Sequence, residues 1–252
     1  MTRDALERVC DIAAAAGTAA LEHYGVVGRV ERKADESPLT AADKEAHRHI
    51  MDALGAWQPD VPVISEEGVI PPWEARRGWT RFWLVDPLDG TREFLKRNGE
   101  FTVNIALIDG DEPVLGVVHA PALGRTYFAG RGLGSWRRDG AGEAQRLLGP
   151  PPVGPDGLIV VESRSHPSAE LEEWLSKVTV KSRLQAGSSL KFGLVAEGSA
   201  HVYPRLGPTS EWDVAAGDCV WRNAVEVGRR PSPLRYNTPT LLNKGFVIGV
   251  TE

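Results

Sequence analysis

Trp83-Leu84-Val85-Asp86-Pro87-Leu88-Asp89-Gly90-Thr91 reads as an apolar strand that ends in two carboxylates three residues apart. A strand of this kind delivers charged side chains to a sheet edge. Pro87 fixes its own φ and Gly90 permits a tight bend, so the turn can aim both aspartates at one point with little freedom. Taken alone, the same residues also read as a solvated Asp-Pro/Asp-Gly turn. The flanking sequence has to decide between the two.

Upstream, residues 61–65 form a second short apolar run closed by Glu66-Glu67. Successive strand residues face opposite ways, so only one of these glutamates can share a centre with Asp86. Residues 4–24 carry Leu6, Val9, Ala13, Ala16, Ala20 and Tyr24 at helical spacing, with Gly25 as a natural stop. A short polar strand is expected at 26–33. Thr40 is the expected N-cap of a second helix running to about Trp57, with Ile50, Met51 and Leu54 on its buried side. Thr40-Ala41-Ala42-Asp43 has the form of a capping box with Asp in place of the usual Glu or Gln. His47 and His49 on that helix form no ligand set and are expected to face solvent.

Downstream, residues 101–129 hold three strand-like runs in antiparallel meander order. The Pro/Gly-dense segment 149–157 is the expected linker between an α+β half, 1–148, and an α/β half, 158–252. In the second half, strands are expected at 158–162, 178–181, 200–203 and 246–250, alternating with helices at 168–176, 188–197 and 211–224. No internal repeat or low-complexity tract is present.

Composition narrows the function classes. In 252 residues, 42% are hydrophobic and 25% charged, as in ordinary folded proteins. The formal charge is -5 and there is no basic block, so no partner such as a nucleic-acid duplex or an anionic bilayer is indicated. The alanine-rich stretch 12–21 falls short of the roughly 20 apolar residues of a membrane span, and no transmembrane segment is expected. It also lacks a basic leader and a cleavage site, which fits the cytoplasm. Cys10 and Cys219 have no metal-like spacing and read as buried helix thiols.

The acidic motifs carry the chemistry. An Asp-x-Asp-Gly-Thr arrangement would point to a haloacid-dehalogenase phosphatase with a phosphorylated aspartate. Here two residues separate the aspartates, which argues against it. Hard divalent cations prefer carboxylate and carbonyl oxygens, and Mg²⁺ takes one or two carboxylates while keeping waters. The Asp86/Asp89 spacing suits such an ion, with the Leu88 carbonyl as a further oxygen. Asp213, in Ser210-Glu211-Trp212-Asp213, falls in the first turn of a late helix, where the helix dipole favours negative charge. Four carboxylates gathered without cations would repel and raise one another's pKa, so a cluster of this composition demands metal.

Taken together and in this order, Thr40-Ala41-Ala42-Asp43, Ile64-Ser65-Glu66-Glu67, Asp86-Pro87-Leu88-Asp89-Gly90-Thr91 and Glu211-Trp212-Asp213-Val214-Ala215-Ala216-Gly217 resemble the motifs of the inositol monophosphatase superfamily of Mg²⁺-dependent phosphatases. Gly187-Ser188-Ser189-Leu190-Lys191-Phe192, Ala196-Glu197-Gly198, Tyr203-Pro204-Arg205 and Gly207-Pro208-Thr209-Ser210 are similar to its CysQ-type 3'(2'),5'-bisphosphate nucleotidases, as are Ser163-Arg164-Ser165-His166 and Pro233-Leu234-Arg235-Tyr236-Asn237. One departure is Val225-Glu226, which stands where the family usually has a Gly-Gly pair.

The resemblance implies a layered α-β-α-β-α sandwich. It implies hydrolysis of the 3'-phosphate of 3'-phosphoadenosine 5'-phosphate to AMP and phosphate, with 3'-phosphoadenylyl sulfate as a second substrate and inhibition by Li⁺. Two or three Mg²⁺ ions are implied, one on Glu66, Asp86 and the Leu88 carbonyl, another on Asp86, Asp89 and Asp213. A metal-activated water would attack without a phosphoenzyme, with Thr91 oriented by Asp43 and Glu67 standing behind the ligands. Gly90, Thr91, His166, Ser188, Ser189, Lys191, Arg205 and Asp213 are the implied substrate contacts. The 5'-phosphate would fall to Lys191 and Arg205, with a serine donating. An inositol monophosphatase-like or sugar-phosphate phosphatase is the nearest alternative, and a non-catalytic nucleotide or metal sensor is the alternative of another class. The oligomeric state is not readable from the chain.

Overall fold

Both faces of Phe82-Trp83-Leu84-Val85 are apolar, so a strand made from them needs cover on both sides. The computed structural model, which describes residues 1–25, 31–32, 38–165 and 168–250, supplies that cover with two helical layers. The chain begins with α1 (Arg3–Glu22), β1 (Glu31–Arg32), β2 (Pro38–Leu39), α2 (Ala41–Trp57), β3 (Val63–Ser65), α3 (Trp73–Arg76), β4 (Arg81–Asp89) and α4 (Thr91–Lys96). A meander follows: β5 (Thr102–Asp109), β6 (Glu112–Ala120), β7 (Arg125–Gly130), β8 (Gly134–Asp139) and β9 (Gln145–Leu147). The second half runs β10 (Leu158–Ser163), α5 (Ala169–Leu175), β11 (Val180–Ala186), α6 (Leu190–Ala196), β12 (Val202–Arg205), β13 (Thr209–Ser210), α7 (Glu211–Arg222), β14 (Leu242–Asn243) and β15 (Phe246–Gly249).

The larger sheet has the order β3-β4-β5-β6-β7-β8-β9, and the smaller one β11-β10-β12-β15. β3 pairs parallel with β4, and the strands after β4 pair antiparallel. β10 pairs parallel with both β11 and β12, as alternating strands and helices require. Period-two alternation sorts β4 between two cores. Trp83 and Val85 pack with Leu6, Val9, Ile50 and Leu54 of α1 and α2. Phe82 and Leu84 pack on the opposite side with Phe192 of α6 and Val214, Ala215 and Val220 of α7. The smaller sheet covers the far side of α6 and α7, and Leu171 and Leu175 of α5 close its outer face over Leu158, Val160 and Val202. The result is the expected α-β-α-β-α order of layers.

Several boundaries differ from the sequence reading. β4 runs on through both aspartates. β8 and β9 were not legible, because their exposed faces carry Arg137, Arg138 and Arg146. β11 continues to Ala186, since its residues 181–183 are solvent-exposed and look polar. Most of the strand expected at 26–33 lies outside the described residues. No regular element occupies 149–157, and one apolar cluster takes residues from both sides of that segment. Cys10 and Cys219 are buried, and burial pushes both thiols up to about 12. Among the described residues, no helix is long and apolar enough to cross a membrane.

Where the Gly-Gly pair is lost, arginines hold the chain. After Asn223 caps α7, Arg230 Nε donates to Ala224 O at 2.6 Å and Arg146 Nη2 to Glu226 O at 2.9 Å. The left-handed residue of this turn is Gly228, at φ 87°.

α7 lies close to the sheet because its inner face is small. A Cβ on Gly116 of β6 would come within 2.6 Å of both Ala216 O and Cys219 Cβ. Gly116→Ala is therefore expected to destabilise the protein by about 1–3 kcal/mol through overpacking. Gly55→Ala, at a solvent-facing helical position with nothing within 4 Å, is expected to stabilise it by about 0.5–1 kcal/mol. Chemical denaturation of the two variants checks both signs.

Candidate active site

Beyond Val85, β4 does not stop but bulges. Asp86 pairs with Asn104 and Asp89 with Thr102, so β4 advances three residues while β5 advances two. A bulge of this sort re-aims side chains that strict alternation would have separated. Pro87, which has no N–H to donate, sits inside it, and Leu88 N–H donates to Asp86 Oδ1 at 3.0 Å. Glu66 follows β3 and donates its N–H to Val85 O at 3.1 Å, which sets it beside Asp86. Asp213 arrives from the opposite layer, in the first turn of α7. There its Oδ2 accepts from Thr209 Oγ1 at 2.8 Å and from Ser210 N at 3.2 Å, completing a capping box.

These elements converge. Glu66, Asp86 and Asp213 each offer an oxygen within 4.8 Å of the others. Glu67 is not in this set, in keeping with alternation. Asp89 lines the same pocket, its Oδ2 accepting from Asn104 Nδ2 at 3.2 Å and Thr102 Oγ1 at 3.4 Å. Burial first, then the charges of Glu66, Asp89 and Asp213, hold the Asp86 carboxyl well above the usual carboxylate range. Burial also raises Asp89, against the opposing pull of Lys191 and the hydrogen bonds from Asn104 and Ser189. Asp213 is pushed up to about 8 by burial and by the charges of Asp89 and Glu66. Carboxylates that resist ionising together are a donor set suited to a hard divalent cation, whose charge removes the repulsion.

The pocket, of about 330 Å³, also takes in Leu88, Gly90 and Thr91. Gly90 (φ 88°) caps α4, and a Cβ there would collide with Ser188 Oγ. Thr91 opens α4 with its Oγ1 3.4 Å from Asp43 Oδ1. Asp43 is buried at the start of α2, and its other oxygen accepts from Thr40 N at 2.8 Å and Thr40 Oγ1 at 2.6 Å. The capping box and the contact to Thr91 thus use different oxygens of one carboxylate.

Lys191, Arg205, Tyr203 and Trp212 also line the wall. Burial lowers Lys191 to about 8, and its Nζ donates to Ala186 O at 3.4 Å and to Ser188 O. Arg205 donates to Pro208 O at 3.2 Å. Ser188 and Ser189 line the pocket too, although both hydroxyls donate to main-chain carbonyls. His166 lies outside the described residues. His47, expected to face solvent, is half-buried instead, its Nδ1 2.9 Å from Ser65 Oγ.

Some participants were missed. Thr102 and Asn104 are fully buried polar residues in the apolar run of β5, a signal that could have marked them. Glu93 of α4, buried at the pocket wall, accepts from Ser165 Oγ and ties the 163–165 segment down. Glu211 is fully buried, and its carboxylate accepts from Asn237 N at 2.7 Å and from Thr238 N at 2.8 Å and Oγ1 at 2.6 Å. That contact explains why the late Asn237 motif belongs with the site: it braces the start of α7.

Fold and site together define a layered α-β-α-β-α protein with a cluster of carboxylates that could hold a metal ion. The chain belongs to the inositol monophosphatase family, whose model matches residues 3–227. It is 48% identical to the 3'(2'),5'-bisphosphate nucleotidase CysQ of Escherichia coli (strain K12), over 97% of this chain and 99% of that one. It is 50% identical to the protein of that name from Salmonella typhimurium, with the same coverage. Among solved structures it is similar to CysQ from Bacteroides thetaiotaomicron, with TM-score 0.82, 39% identity and coverage of 99% and 98% of the two chains. It is also similar to an IMPase of Thermotoga maritima, with TM-score 0.75, 26% identity and coverage of 98% and 92%. Phosphatases of this family are generally metal-dependent.

The raised carboxylate makes a signed prediction. Asp213 in the native state keeps a proton that the unfolded chain releases near 3.8, so in metal-free buffer this group's contribution to stability falls as pH rises towards about 8. Asp213→Asn is expected to gain stability over wild type across that window, with Mg²⁺ restoring the wild type alone. Thermal unfolding in chelator against pH checks this; a gap that shrinks as pH rises contradicts it.

Proposed function

We propose that this chain is a Mg²⁺-dependent phosphatase that hydrolyses the 3'-phosphate of 3'-phosphoadenosine 5'-phosphate, releasing AMP and phosphate. The carrying observation is the meeting of Glu66, Asp86 and Asp213 within 4.8 Å, beside the Thr91–Asp43 contact. The near-full-length likeness to bisphosphate nucleotidases selects the substrate.

Glu66, Asp86, Asp89, Asp213 and the Leu88 carbonyl would hold two or three Mg²⁺ ions. Bound there, the ions supply Lewis-acid polarisation of the phosphoryl group and neutralise charge on the separating oxygens. The chain's own residues do the rest, which in phosphoryl transfer is mostly positioning. Thr91 Oγ1, held by its hydrogen bond to Asp43, presents a lone pair that can accept a proton from an attacking water and pass its own to Asp43. No side chain need be phosphorylated. Lys191 and Arg205 place positive charge on the wall of the same pocket and suit the second phosphate. Trp212 and Tyr203 offer aromatic surface in the same wall. Gly90, Ser188 and Ser189 shape the pocket, and His166 is a further nucleotide contact proposed on the resemblance alone. Glu67 supports Glu66 from the next position. The two halves divided at 149–157 each contribute to this pocket, and a soluble nucleotide substrate fits a cytoplasmic enzyme.

Assay with Mg²⁺ on a panel of phosphate esters tests the substrate. Release from 3'-phosphoadenosine 5'-phosphate is expected to exceed that from inositol monophosphate and sugar bisphosphates. The reverse order assigns the site to an inositol monophosphatase-like activity, and binding of nucleotide without phosphate release would leave a sensor. Asp89→Asn is expected to stay folded and to lose at least about 100-fold in turnover. Near-normal turnover removes Asp89 from the metal centre.

A further inference from the structure

Ser188 and Ser189 sit between the two aspartates that come from opposite layers of the fold. Ser188 Oγ lies 2.8 Å from Asp89 O and 2.8 Å from Glu100 O. Ser189 Oγ donates to Asp213 O, and accepts from Asn104 Nδ2 at 3.0 Å. The other hydrogen of that amide reaches Asp89 Oδ2 at 3.2 Å. Ser189 is 3% exposed and Asn104 0%. A hydroxyl carries one hydrogen, and the acceptors beside Ser189 are Asp213 O and the Asp89 carboxylate, so either choice spends it on one of these two aspartates and leaves none for a phosphate oxygen.

The turn that presents these serines is held on every side. Ser188 has φ 47°, a conformation that a non-glycine residue keeps only when its surroundings enforce it. Gly187 N–H donates to Glu100 Oε2 at 2.8 Å, and the same carboxylate accepts from Arg164 Nε at 2.7 Å and Nη2 at 2.8 Å. Lys191 Nζ, 5% exposed at the level of the residue, donates to Ser188 O from inside the turn. A Cβ on Gly187 would come within 2.6 Å of Glu100 O, so only glycine fits there.

We propose that Gly187-Ser188-Ser189 is a strap that sets the separation of Asp89 and Asp213. Ser189, with Asn104, is then a positioning residue for the metal that these two aspartates share, and not a contact to substrate phosphate. The strap links the end of β4 to the start of α7 by donating to the main-chain carbonyls of Asp89 and Asp213. Outer partners of this kind fix ligand orientation, and losing one weakens metal binding by about 10- to 100-fold. The inference rests on the reading that Asp89 and Asp213 hold Mg²⁺ together.

Calorimetric titration of Mg²⁺ into metal-free wild type, Ser189→Ala and Ser188→Ala, with kinetics on 3'-phosphoadenosine 5'-phosphate, tests it. Ser189→Ala is expected to weaken Mg²⁺ binding by about 10-fold or more, with KM for nucleotide at saturating Mg²⁺ within about twofold of wild type. Ser188→Ala, which frees only the Asp89 backbone, is expected to shift Mg²⁺ binding in the same direction by less. It serves alone if Ser189→Ala does not fold. Unchanged Mg²⁺ affinity together with a KM raised about tenfold overturns the strap and makes the serines phosphate contacts. Unchanged affinity and unchanged KM overturns it too. If wild type itself takes up no Mg²⁺, the metal reading fails first and the strap with it.

Discussion

Repulsion among buried carboxylates is the constraint around which this structure is arranged. Burial pushes the carboxyls of Asp86, Asp89 and Asp213 upward, the charge of Glu66 adds to all three, and Asp86 and Asp213 also feel the charge of Asp89. Nothing in a hydrophobic core rewards such a gathering. A bound cation would relieve the repulsion, and the surrounding fold holds the group together by other means. Asn104 and Thr102 steady Asp89, Thr209 and Ser210 steady Asp213, and the Val85 carbonyl seats Glu66.

The layered architecture makes that convergence geometrically possible. β3 and β4 bring Glu66 and Asp86 to one edge of the larger sheet, and the bulge after Asp86 turns Asp89 to the same side. α7 must then lie almost on the sheet for Asp213 to reach them. Gly116 and Ala216 allow that approach, and Gly217 lets α6 lie against α7, since a Cβ there would come within 2.5 Å of the Phe192 side chain. Packing and the site are coupled here: a larger residue in this seam displaces Asp213 from Glu66 and Asp86 as well as costing stability.

Much of this was readable in the residues themselves. Apolar runs ending in acids marked β3 and β4, helical periodicity marked α1 and α2, and Thr40-Ala41-Ala42-Asp43 announced a cap, while the contact of Asp43 with Thr91 came from the resemblance. Alternation allowed only one of Glu66 and Glu67 beside Asp86, and the family resemblance named Glu66. What stayed hidden was hidden for physical reasons. β8 and the middle of β11 are edge-like and half-wet, so their side chains look like loop residues. The roles of Asn104 and Glu211 depend on partners 15 to 85 and 26 to 27 residues away in sequence, which no local pattern encodes. The resemblance implied Ser188 and Ser189 as phosphate donors, and the structure shows both hydroxyls donating to main-chain carbonyls, which residue type does not encode.

The central claim is that acidic side chains from three distant stretches of the chain form one cation site. Anomalous diffraction from crystals grown with Mn²⁺ in place of Mg²⁺ reads this directly. Convergence predicts anomalous peaks within coordination distance of Glu66, Asp86 and Asp213, with Asp86 common to two of them. A crystal with Mn²⁺ bound elsewhere and no peak between these carboxylates would contradict it.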